Sequence, residues 1–372
     1  MRVLIASLIA VVACGPSSLP AGPSAIVGAT STTAERTAAA TSAPTGATAA
    51  PATASPVGSP TIVTIKEFAV PAGSGPHDVA PAADGGVWFT AQRSGQLGWL
   101  DPKTGQTRMI SLGPGSAPHG VIVDELGVAW ITDGGQNAIV SVDPSANDKV
   151  TVYKLPGPNV DLNTAAIDRS TNTLWFTGQR GYYGRLLLGA RSDQPPVPQV
   201  VLAPRGAGPY GITVTSRYDV YYASLAGDHI ARVFYIPSET NTPPTAFDAR
   251  PIDAPTRGAG PRRVWSDSNG ILWVSEWNAG QLARYDPGTG QWKEWKLPGS
   301  RPQAYAVFVD DRDIVWLSEW SASAIVRFDP ATERFEAFPH APGGSIRQLH
   351  GRPGEVWGAL SALDRLIVAT TR

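Results

Sequence analysis

Short apolar runs separated by polar turns recur along the chain from about residue 61. Two stretches that show this pattern align with each other without a gap: "GPHDVAPAADGGVWFTAQRSGQLGWLDPKTGQTRMISL" from Gly75 and "GPRRVWSDSNGILWVSEWNAGQLARYDPGTGQWKEWKLP" from Gly260. Each has an apolar run after Gly-Pro, a polar turn, an aromatic-centred run, and a third run that ends on "DP". Short apolar runs with turn residues between them predict β-strands joined by hairpins.

One aromatic residue marks the same place in every unit, and we call it the anchor. The anchors are Trp88, Trp130, Trp175, Tyr221, Trp273, Trp316 and Trp357, which lie 41 to 52 residues apart. Repeats of this length with four short strands each are typical of a β-propeller. Seven anchors therefore predict an all-β fold, a seven-bladed β-propeller of four-stranded blades.

The first strand of the domain has a sequence that resembles the end of a repeat. "IVTIKEFAVP", residues 62–71, matches the fourth-strand segments "QWKEWKLP" and "ERFEAFP", while the last unit stops soon after "RLIVATTR". We expect the N-terminal strand to complete the last blade. This closure would leave the ring without a long unpaired edge.

Composition agrees with one large globular domain behind an export segment. Of 372 residues, 42% are hydrophobic, and 30 basic residues balance 31 acidic ones, so neither a nucleic-acid footprint nor a polybasic membrane patch is expected. Residues 1–14, "MRVLIASLIAVVAC", read as a signal peptide, and residues 15–60 as a disordered Ala/Thr/Ser/Pro tether. The propeller would occupy residues 61–372.

The signal segment ends on Cys14, the single cysteine of the chain. "VVAC" resembles a bacterial lipobox, so one expectation is a lipoprotein held on the outer face of the cytoplasmic membrane by a lipidated Cys14. The alternative is an ordinary signal peptide and a secreted protein. Either way, the mature domain has no internal disulfide.

Turn chemistry orients the blades and brings two positions of each unit to one mouth of the central channel, where propellers bind ligands. The position eleven residues before the anchor holds His77, His119, Thr164, Tyr210, Arg262, Tyr305 and Ile346. The position three residues after it holds Ala91, Asp133, Gly178, Ser224, Glu276, Glu319 and Leu360. The expected rim thus collects titratable and aromatic side chains.

The paired His77 and His119, on adjacent blades, predict a general base or a metal ligand, because imidazole titrates near neutral pH. Asp133, Glu276 and Glu319 offer carboxylate oxygens for a hard divalent cation. Each has a structural alternative: the histidines could bond loop carbonyls, and the carboxylates could cap loop amides or pair with a nearby arginine.

The motifs "GPHDV", "APHGV", "GPYGI", "VWFTA", "ILWVSEW" and "IVWLSEW" resemble the virginiamycin B lyase (streptogramin lyase) family of seven-bladed propellers, over residues 62–369. The resemblance implies opening of a cyclic depsipeptide at its ester by elimination, with rim histidines and glutamates around Mg²⁺. By position, His119 would be the general base and His77 its partner on the neighbouring blade. Asp133 would stand where the family has a glutamate ligand, but Ala117 replaces a further family glutamate.

Two functions stay open. The first is an exported, metal-assisted lyase that opens a cyclic ester, with His119 and His77 catalytic; Asp133, His77, Glu276 and Glu319 as Mg²⁺ ligands; and Tyr210, Arg262 and Tyr305 binding the substrate. The second is a non-catalytic cell-surface propeller that binds a peptide, a glycan or an envelope protein through Tyr210, Arg262, Trp277, Tyr305 and Trp320. A six-bladed lactonase fits the number of anchors less well. A monomer is expected in either case.

Overall fold

The computed structural model describes residues 62–189, 196–237 and 246–372. In these ranges the chain forms seven four-stranded antiparallel sheets, and the inner strand of each sheet packs on the inner strands of its two neighbours. This is the predicted seven-bladed propeller. The predicted signal peptide and tether lie outside the described residues. Within the described ranges, no helix is long and apolar enough to cross a bilayer.

The strands are numbered in chain order, and each blade runs from the central channel outward. Blade 1 contains β2 (Pro76–Pro81), β3 (Val87–Ala91), β4 (Gln96–Leu100) and β5 (Thr107–Ser111). Blade 2 contains β6 (Pro118–Val123), β7 (Ala129–Asp133), β8 (Ala138–Asp143) and β9 (Lys149–Lys154). Blade 3 contains β10 (Leu162–Asp168), β11 (Thr173–Gly178), β12 (Tyr182–Leu187) and β13 (Gln199–Leu202). Blade 4 contains β14 (Pro209–Val214), β15 (Val220–Ser224), β16 (His229–Tyr235) and β17 (Phe247–Asp253).

Blade 5 contains β18 (Pro261–Ser266), β19 (Leu272–Glu276), β20 (Gln281–Asp286) and β21 (Gln291–Lys296). Blade 6 contains β22 (Ala304–Val309), β23 (Val315–Glu319), β24 (Ala324–Asp329) and β25 (Arg334–Pro339). Blade 7 contains β26 (Leu349–Arg352), β27 (Glu355–Leu360), β28 (Arg365–Thr371) and, as its outer strand, β1 (Val63–Ala69).

Strand β1 closes the ring as predicted. It pairs antiparallel with β28 along its whole length, from Val63 opposite Thr371 to Ala69 opposite Arg365. Phe68 stacks on the anchor Trp357 with ring centroids 5.5 Å apart. The two ends of the domain are therefore joined by both a sheet ladder and a packed aromatic pair, and both edges of β28 are paired.

The anchors are buried between blades, and a repeated aspartate fixes three of them. In blade 2, Asp124 accepts hydrogen bonds from the backbone N–H groups of Leu126 and Val128, and its second oxygen accepts the indole N–H of Trp130 at 2.8 Å. Blades 5 and 6 repeat this arrangement with Asp267 and Asp310. The polar turn between the two inner strands thus shapes the hairpin and orients the buried indole at once.

Candidate functional site

Residues near the beginnings of the inner strands form a ring at the upper mouth of the channel, which we call the first ring. Strand pairing defines its members, because each lies three residues before the residue that pairs with the anchor. The first ring comprises His77, His119, Asn163, Tyr210, Arg262, Tyr305 and Arg347. Every member carries a polar side chain.

Two members of this ring differ from the positions predicted by a constant offset. Trp175 pairs with Ala166, nine residues earlier, whereas Trp357 pairs with His350, seven residues earlier. The other anchors pair with the residue eight positions earlier. The hairpin of blade 3 is one residue longer and that of blade 7 one shorter. Asn163 and Arg347 therefore occupy the ring.

A buried hydroxyl two residues after the anchor holds the ring in place. In blade 2, Thr132 Oγ1 accepts the backbone N–H of Gly120 at 2.8 Å and donates to the carbonyl oxygen of Asn163 on the next blade. Thr90 makes the same two bonds toward Asp78 N and His119 O, and Ser275 toward Arg263 N and Tyr305 O. In these three blades the hydroxyl bridge ties the inner strand to that of the next blade and fixes the height of the ring residues.

The second ring lies one residue further along the inner strands. It comprises Asp78, Gly120, Thr164, Gly211, Arg263, Ala306 and Gln348. Arg263 is 4% exposed and crosses the channel from blade 5 to Asp78 of blade 1, with Nη2 3.3 Å from Oδ1. Its Nε donates to the carbonyl oxygen of Arg347 at 3.1 Å. The channel is therefore crossed by a buried ion pair just beneath the first ring.

The two predicted catalytic histidines lie in contact. The ring centroids of His77 and His119 are 3.9 Å apart, and both side chains are almost fully buried. Nδ1 of His77 lies 2.8 Å from Oδ1 of Asp78. An ionised carboxylate only accepts hydrogen bonds, so we assign the His77 proton to Nδ1, which leaves Nε2 as the basic nitrogen.

A chain of hydrogen bonds assigns the opposite tautomer to His119. A guanidinium only donates, so Arg263 Nη1 donates to Thr164 Oγ1, and the Thr164 hydroxyl donates to Oδ1 of Asn163. The amide nitrogen of Asn163 then donates to Nε2 of His119 at 3.2 Å. The His119 proton therefore sits on Nδ1, which is buried and has no hydrogen-bond partner among the described residues.

Both histidines are held neutral. Burial is the main cause that moves the pKa of His77 well below its ordinary value, and the charges of Arg347, Arg263 and Arg262 add to it. Burial and the neighbouring His77 also lower the pKa of His119 well below its ordinary value, although Asp78 opposes the shift. Burial raises the pKa of Asp78, and Arg263 opposes that rise.

The three predicted substrate-binding residues meet on the far side of the first ring. The Arg262 guanidinium lies over the Tyr305 ring at 3.6 Å and the Tyr210 ring at 4.5 Å, and it donates to the Tyr210 hydroxyl at 3.2 Å. The Tyr210 and Tyr305 hydroxyls are hydrogen-bonded to each other. Burial opposes ionisation of Tyr210, yet Arg262, Arg263 and the bond from Tyr305 together lower its pKa.

Two tryptophans extend this group toward the surface. Trp320 stacks on Tyr305 with centroids 4.6 Å apart, and Trp277 packs edge-on against both rings. Arg347 lies 5.5 Å from the Trp320 ring. Trp277, Trp320, Arg262 and Arg347 are all partly exposed. The upper mouth therefore presents an aromatic surface, formed by Trp277 and Trp320, with two guanidinium groups.

Two of the predicted metal ligands, Asp133 and Glu319, accept hydrogen bonds from loop residues instead. Asp133 accepts from Ser116 Oγ at 2.6 Å, Ala117 N at 3.0 Å and Gln136 N at 2.9 Å. Glu319 accepts in the same way from Gln303 N, from both the amide and the hydroxyl of Ser321, and from Ala322 N. Their carboxylates cap the loops at the upper ends of blades 2 and 6.

Glu276, the equivalent residue of blade 5, is fully buried, and neither carboxylate oxygen has a described hydrogen-bond partner. Burial, with smaller contributions from Glu294 and Asp228, raises its pKa to about 8. The loop amides of Gly258 and Gly260 bond Asp228 instead. Because Asp228 has taken over the capping, Glu276 is left protonated at neutral pH.

In the described part of the chain, one group has the geometry to hold a metal ion: His77, Asp78 and His119, with ligand atoms within 4.8 Å of one another. Asp133, Glu276 and Glu319 do not join it. Mg²⁺ prefers six oxygen ligands, whereas this group offers two imidazoles and one carboxylate that is already bonded to Arg263. The nearby guanidinium charges also oppose a cation. The donor set does not fit Mg²⁺.

Sequence analysis missed four members of this site: Asp78, Asn163, Arg263 and Arg347. Asp78 and Arg263 directly follow predicted ring residues in "GPHDV" and "GPRRV". A charged residue at the third position of a buried inner strand was the available signal, because a buried charge requires a partner. Nothing in the sequence alone indicates that these two partners meet across the channel.

Comparison with known proteins agrees with this architecture. The model of the virginiamycin B lyase family matches residues 63–361. A streptogramin B lyase structure superposes with a TM-score of 0.72 at 22% identity, covering 83% of this chain and 98% of that one. Selenomethionine-substituted virginiamycin B lyase from Staphylococcus aureus gives 0.73 at 18% identity, covering 83% and 99%.

A catalytically inactive histidine-to-alanine variant of the S. aureus enzyme, solved with quinupristin, gives a TM-score of 0.71 at 19% identity, covering 83% of this chain and 99% of that one. The extracellular domain of a hybrid two-component system from B. thetaiotaomicron gives 0.62 at 16% identity, covering 82% and 39%. No curated protein sequence matches significantly.

Proposed function

Because the chain belongs to the virginiamycin B lyase family, we propose that it opens a cyclic ester by elimination at the upper mouth of the channel. The observation that carries the proposal is the hydrogen-bonded pair of Asp78 and His77, which presents a neutral imidazole beside His119. A base oriented by a carboxylate is the arrangement that proton abstraction needs. The hydrogen bonds of the two rings favour His77 as the base, rather than His119.

The reaction would begin at the carbon between a carbonyl group and the ester-bearing carbon. His77 Nε2 takes the proton from this carbon, and Asp78 stabilises the imidazolium that forms. The electron pair of the broken C–H bond becomes the new C=C bond, and the C–O bond of the ester breaks. The ester leaves as a carboxylate, so the ring opens without consuming water.

Negative charge develops on the carbonyl oxygen during this step. The unpartnered N–H of His119 is a donor placed next to the base, and Arg347 supplies positive charge at the mouth. Preorganised donors at such an oxygen are a major source of catalytic power. The roles we propose are therefore base for His77 and oxyanion donor for His119.

The aromatic surface would bind the body of the substrate. Trp277 and Trp320 offer partly exposed apolar area, and Arg262 is held against the buried Tyr305. A cyclic depsipeptide, with its aromatic side chains and amide groups, fits this chemistry. The proposed reaction does not use Mg²⁺, since the donor set does not fit that ion.

The direct test is incubation of the purified full chain with quinupristin, followed by mass spectrometry and ultraviolet absorbance. Elimination leaves the mass unchanged and creates a C=C bond that absorbs, whereas hydrolysis adds one water. We expect ring opening without added mass. His77→Ala and His119→Ala should each lower the rate on the order of 10²-fold or more.

His340→Ala is the matched control, because the His340 imidazole bonds the carbonyl oxygen of its neighbour Ala341 and lies outside both rings. It should retain full activity. Treatment with a chelator should also leave the rate unchanged. A rate equal to the uncatalysed one, or a product heavier by one water, would contradict the elimination proposal.

One observation favours a second function, non-catalytic binding at the same mouth. His77 and His119 are 3% and 7% exposed, while the aromatic surface above them is accessible. Under this second function, we propose that the protein is an exported propeller that binds a peptide, a glycan or an envelope protein. It would be held at the membrane by a lipidated Cys14 or be secreted. Saturable binding of quinupristin without ring opening, lost in Arg262→Ala but kept in His77→Ala, would favour it.

A further inference from the structure

The lower half of the central channel contains a cavity of about 430 Å³ that plays no part in the reaction proposed above. All seven second-ring residues line its upper end. Its walls come from the following residues of the inner strands, and its lower end is bordered by Arg169, Trp265, Ser266 and His350. It therefore lies on the opposite side of the second ring from the aromatic mouth.

The upper end of the cavity, which we call the polar cap, comprises Asp78, Thr164, Arg263 and Gln348. Asp78 and Arg263 neutralise each other. Oδ1 of Asp78 takes the bonds from His77 and Arg263, while Oδ2 has only a long contact of 3.5 Å with Arg263. This second oxygen is free to accept a stronger hydrogen bond.

Gln348 supplies the complementary donor. Its Oε1 accepts the backbone N–H of Val79 at 3.0 Å, which fixes the amide and leaves the NH₂ group without a described acceptor. The cap can thus both accept and donate, and it carries no net charge. These properties match a hydroxyl or carboxamide group better than an ion.

The walls below the cap are almost entirely apolar, with Val121, Ile122, Ala165, Ile212, Val264 and Val307 among them. At the lower end, burial lowers the pKa of His350 to about 4, so this side chain is neutral as well. A volume of about 430 Å³ lies within the usual range of small-molecule pockets, roughly 300 to 1,000 Å³.

We propose that the lower channel is a second ligand site, for a small neutral molecule with an apolar body and one hydroxyl or carboxamide end. The polar end contacts Asp78 and Gln348, and the apolar body lies between the inner strands. The site shares Asp78 with the base proposed for the upper mouth. Ligand binding in the lower channel does not require the elimination reaction, however, so either proposal can fail without the other.

The test is a fluorine NMR titration of 4-fluorobenzyl alcohol against the full chain, with 4-fluorotoluene as the matched probe that lacks the hydroxyl. We expect a saturable shift or broadening for the alcohol and about tenfold weaker binding of 4-fluorotoluene, the difference of one hydrogen-bonded group. Equal binding of the two probes would overturn the role of the cap, and binding of neither would overturn the site.

Substitutions of residues that line the cavity test whether the probe binds there. Ala165 lines the cavity and is partly exposed to it, so Ala165→Leu should fill the space and lower the affinity at least tenfold. Val123→Phe narrows the lower end and is the second variant, with melting temperatures measured for both. Ala331→Leu, in an exposed turn, is the control and should bind like the parent. Unchanged affinity in both cavity variants would overturn the proposal.

Discussion

Arg263 reaches across the channel from blade 5 to Asp78 of blade 1, and the two side chains are 5% and 2% exposed. The same guanidinium donates to Thr164 and to the carbonyl oxygen of Arg347. One buried side chain thus links four blades and, through Asp78 and Thr164, sets the proton positions on both histidines.

Replacing Arg263 with Met should strongly destabilise the protein, because it leaves Asp78 buried without its counter-charge. We expect a loss of about 3 to 5 kcal/mol in the free energy of unfolding, measured by denaturant titration. Asp78→Asn combined with Arg263→Met should lose less than the sum of the single losses. Arg93→Met, at an exposed arginine, is the control. Additive losses would argue against the cross-channel pair.

The pH dependence of the proposed reaction follows from the lowered pKa of His77. The neutral form is the base, and a pKa well below 6.5 keeps it neutral through the physiological range. The rate should therefore stay on a plateau from alkaline pH down past 6.5 and fall only at lower pH. Initial rates of quinupristin ring opening across this range provide the measurement. A midpoint at or above 6.5 would contradict the assignment.

The hydroxyl bridges predict that removing one hydroxyl, with little change in side-chain shape, lowers the stability of the protein. Thr132→Val removes the hydroxyl that joins Gly120 N to Asn163 O, and both backbone groups are then buried without a partner. We expect a loss of about 2 to 4 kcal/mol in the free energy of unfolding. Thr151→Val on outer strand β9 has no such bond to lose and is the control. Equal stability of the two variants would exclude a structural role for the bridge.

Glu276 should make stability fall as pH rises. Its pKa is about 8 in the folded protein against an ordinary value of 4.5, so the folded state holds a proton that the unfolded state releases between these values. Glu276→Gln should match the parent below pH 4.5 and become progressively more stable than the parent above it, by roughly 5 kcal/mol at pH 9. Melting curves at several pH values measure this gap. The control is Glu125→Gln, at an exposed carboxylate.

Ring closure depends on the aromatic pair of Phe68 and Trp357. Phe68→Ala removes this stack and leaves a cavity under β1, at an expected cost of about 3 to 5 kcal/mol. The freed edge of β28 should also exchange its amide hydrogens faster. Ile62→Ala, at an exposed residue just before β1, should do neither. Protection of β28 that survives Phe68→Ala would show that the backbone ladder alone closes the ring.

The sequence by itself determined the propeller, the number of blades and the closure by β1. These features are local and repeated: each blade carries its own anchor and hairpin signals, and seven copies of one pattern leave little ambiguity. The sequence also placed His77 and His119 on adjacent blades, and the structure brings them into contact.

Only the tertiary structure decided which polar residues share the channel. Hairpins that differ by one residue moved Asn163 and Arg347 into the first ring, because strand pairing rather than residue count sets the height of a side chain. The contact between Arg263 and Asp78 spans 185 positions of the chain, and closing the ring is what creates it. Likewise, Asp133 and Glu319 are loop caps because free backbone amides lie within reach once the blades pack.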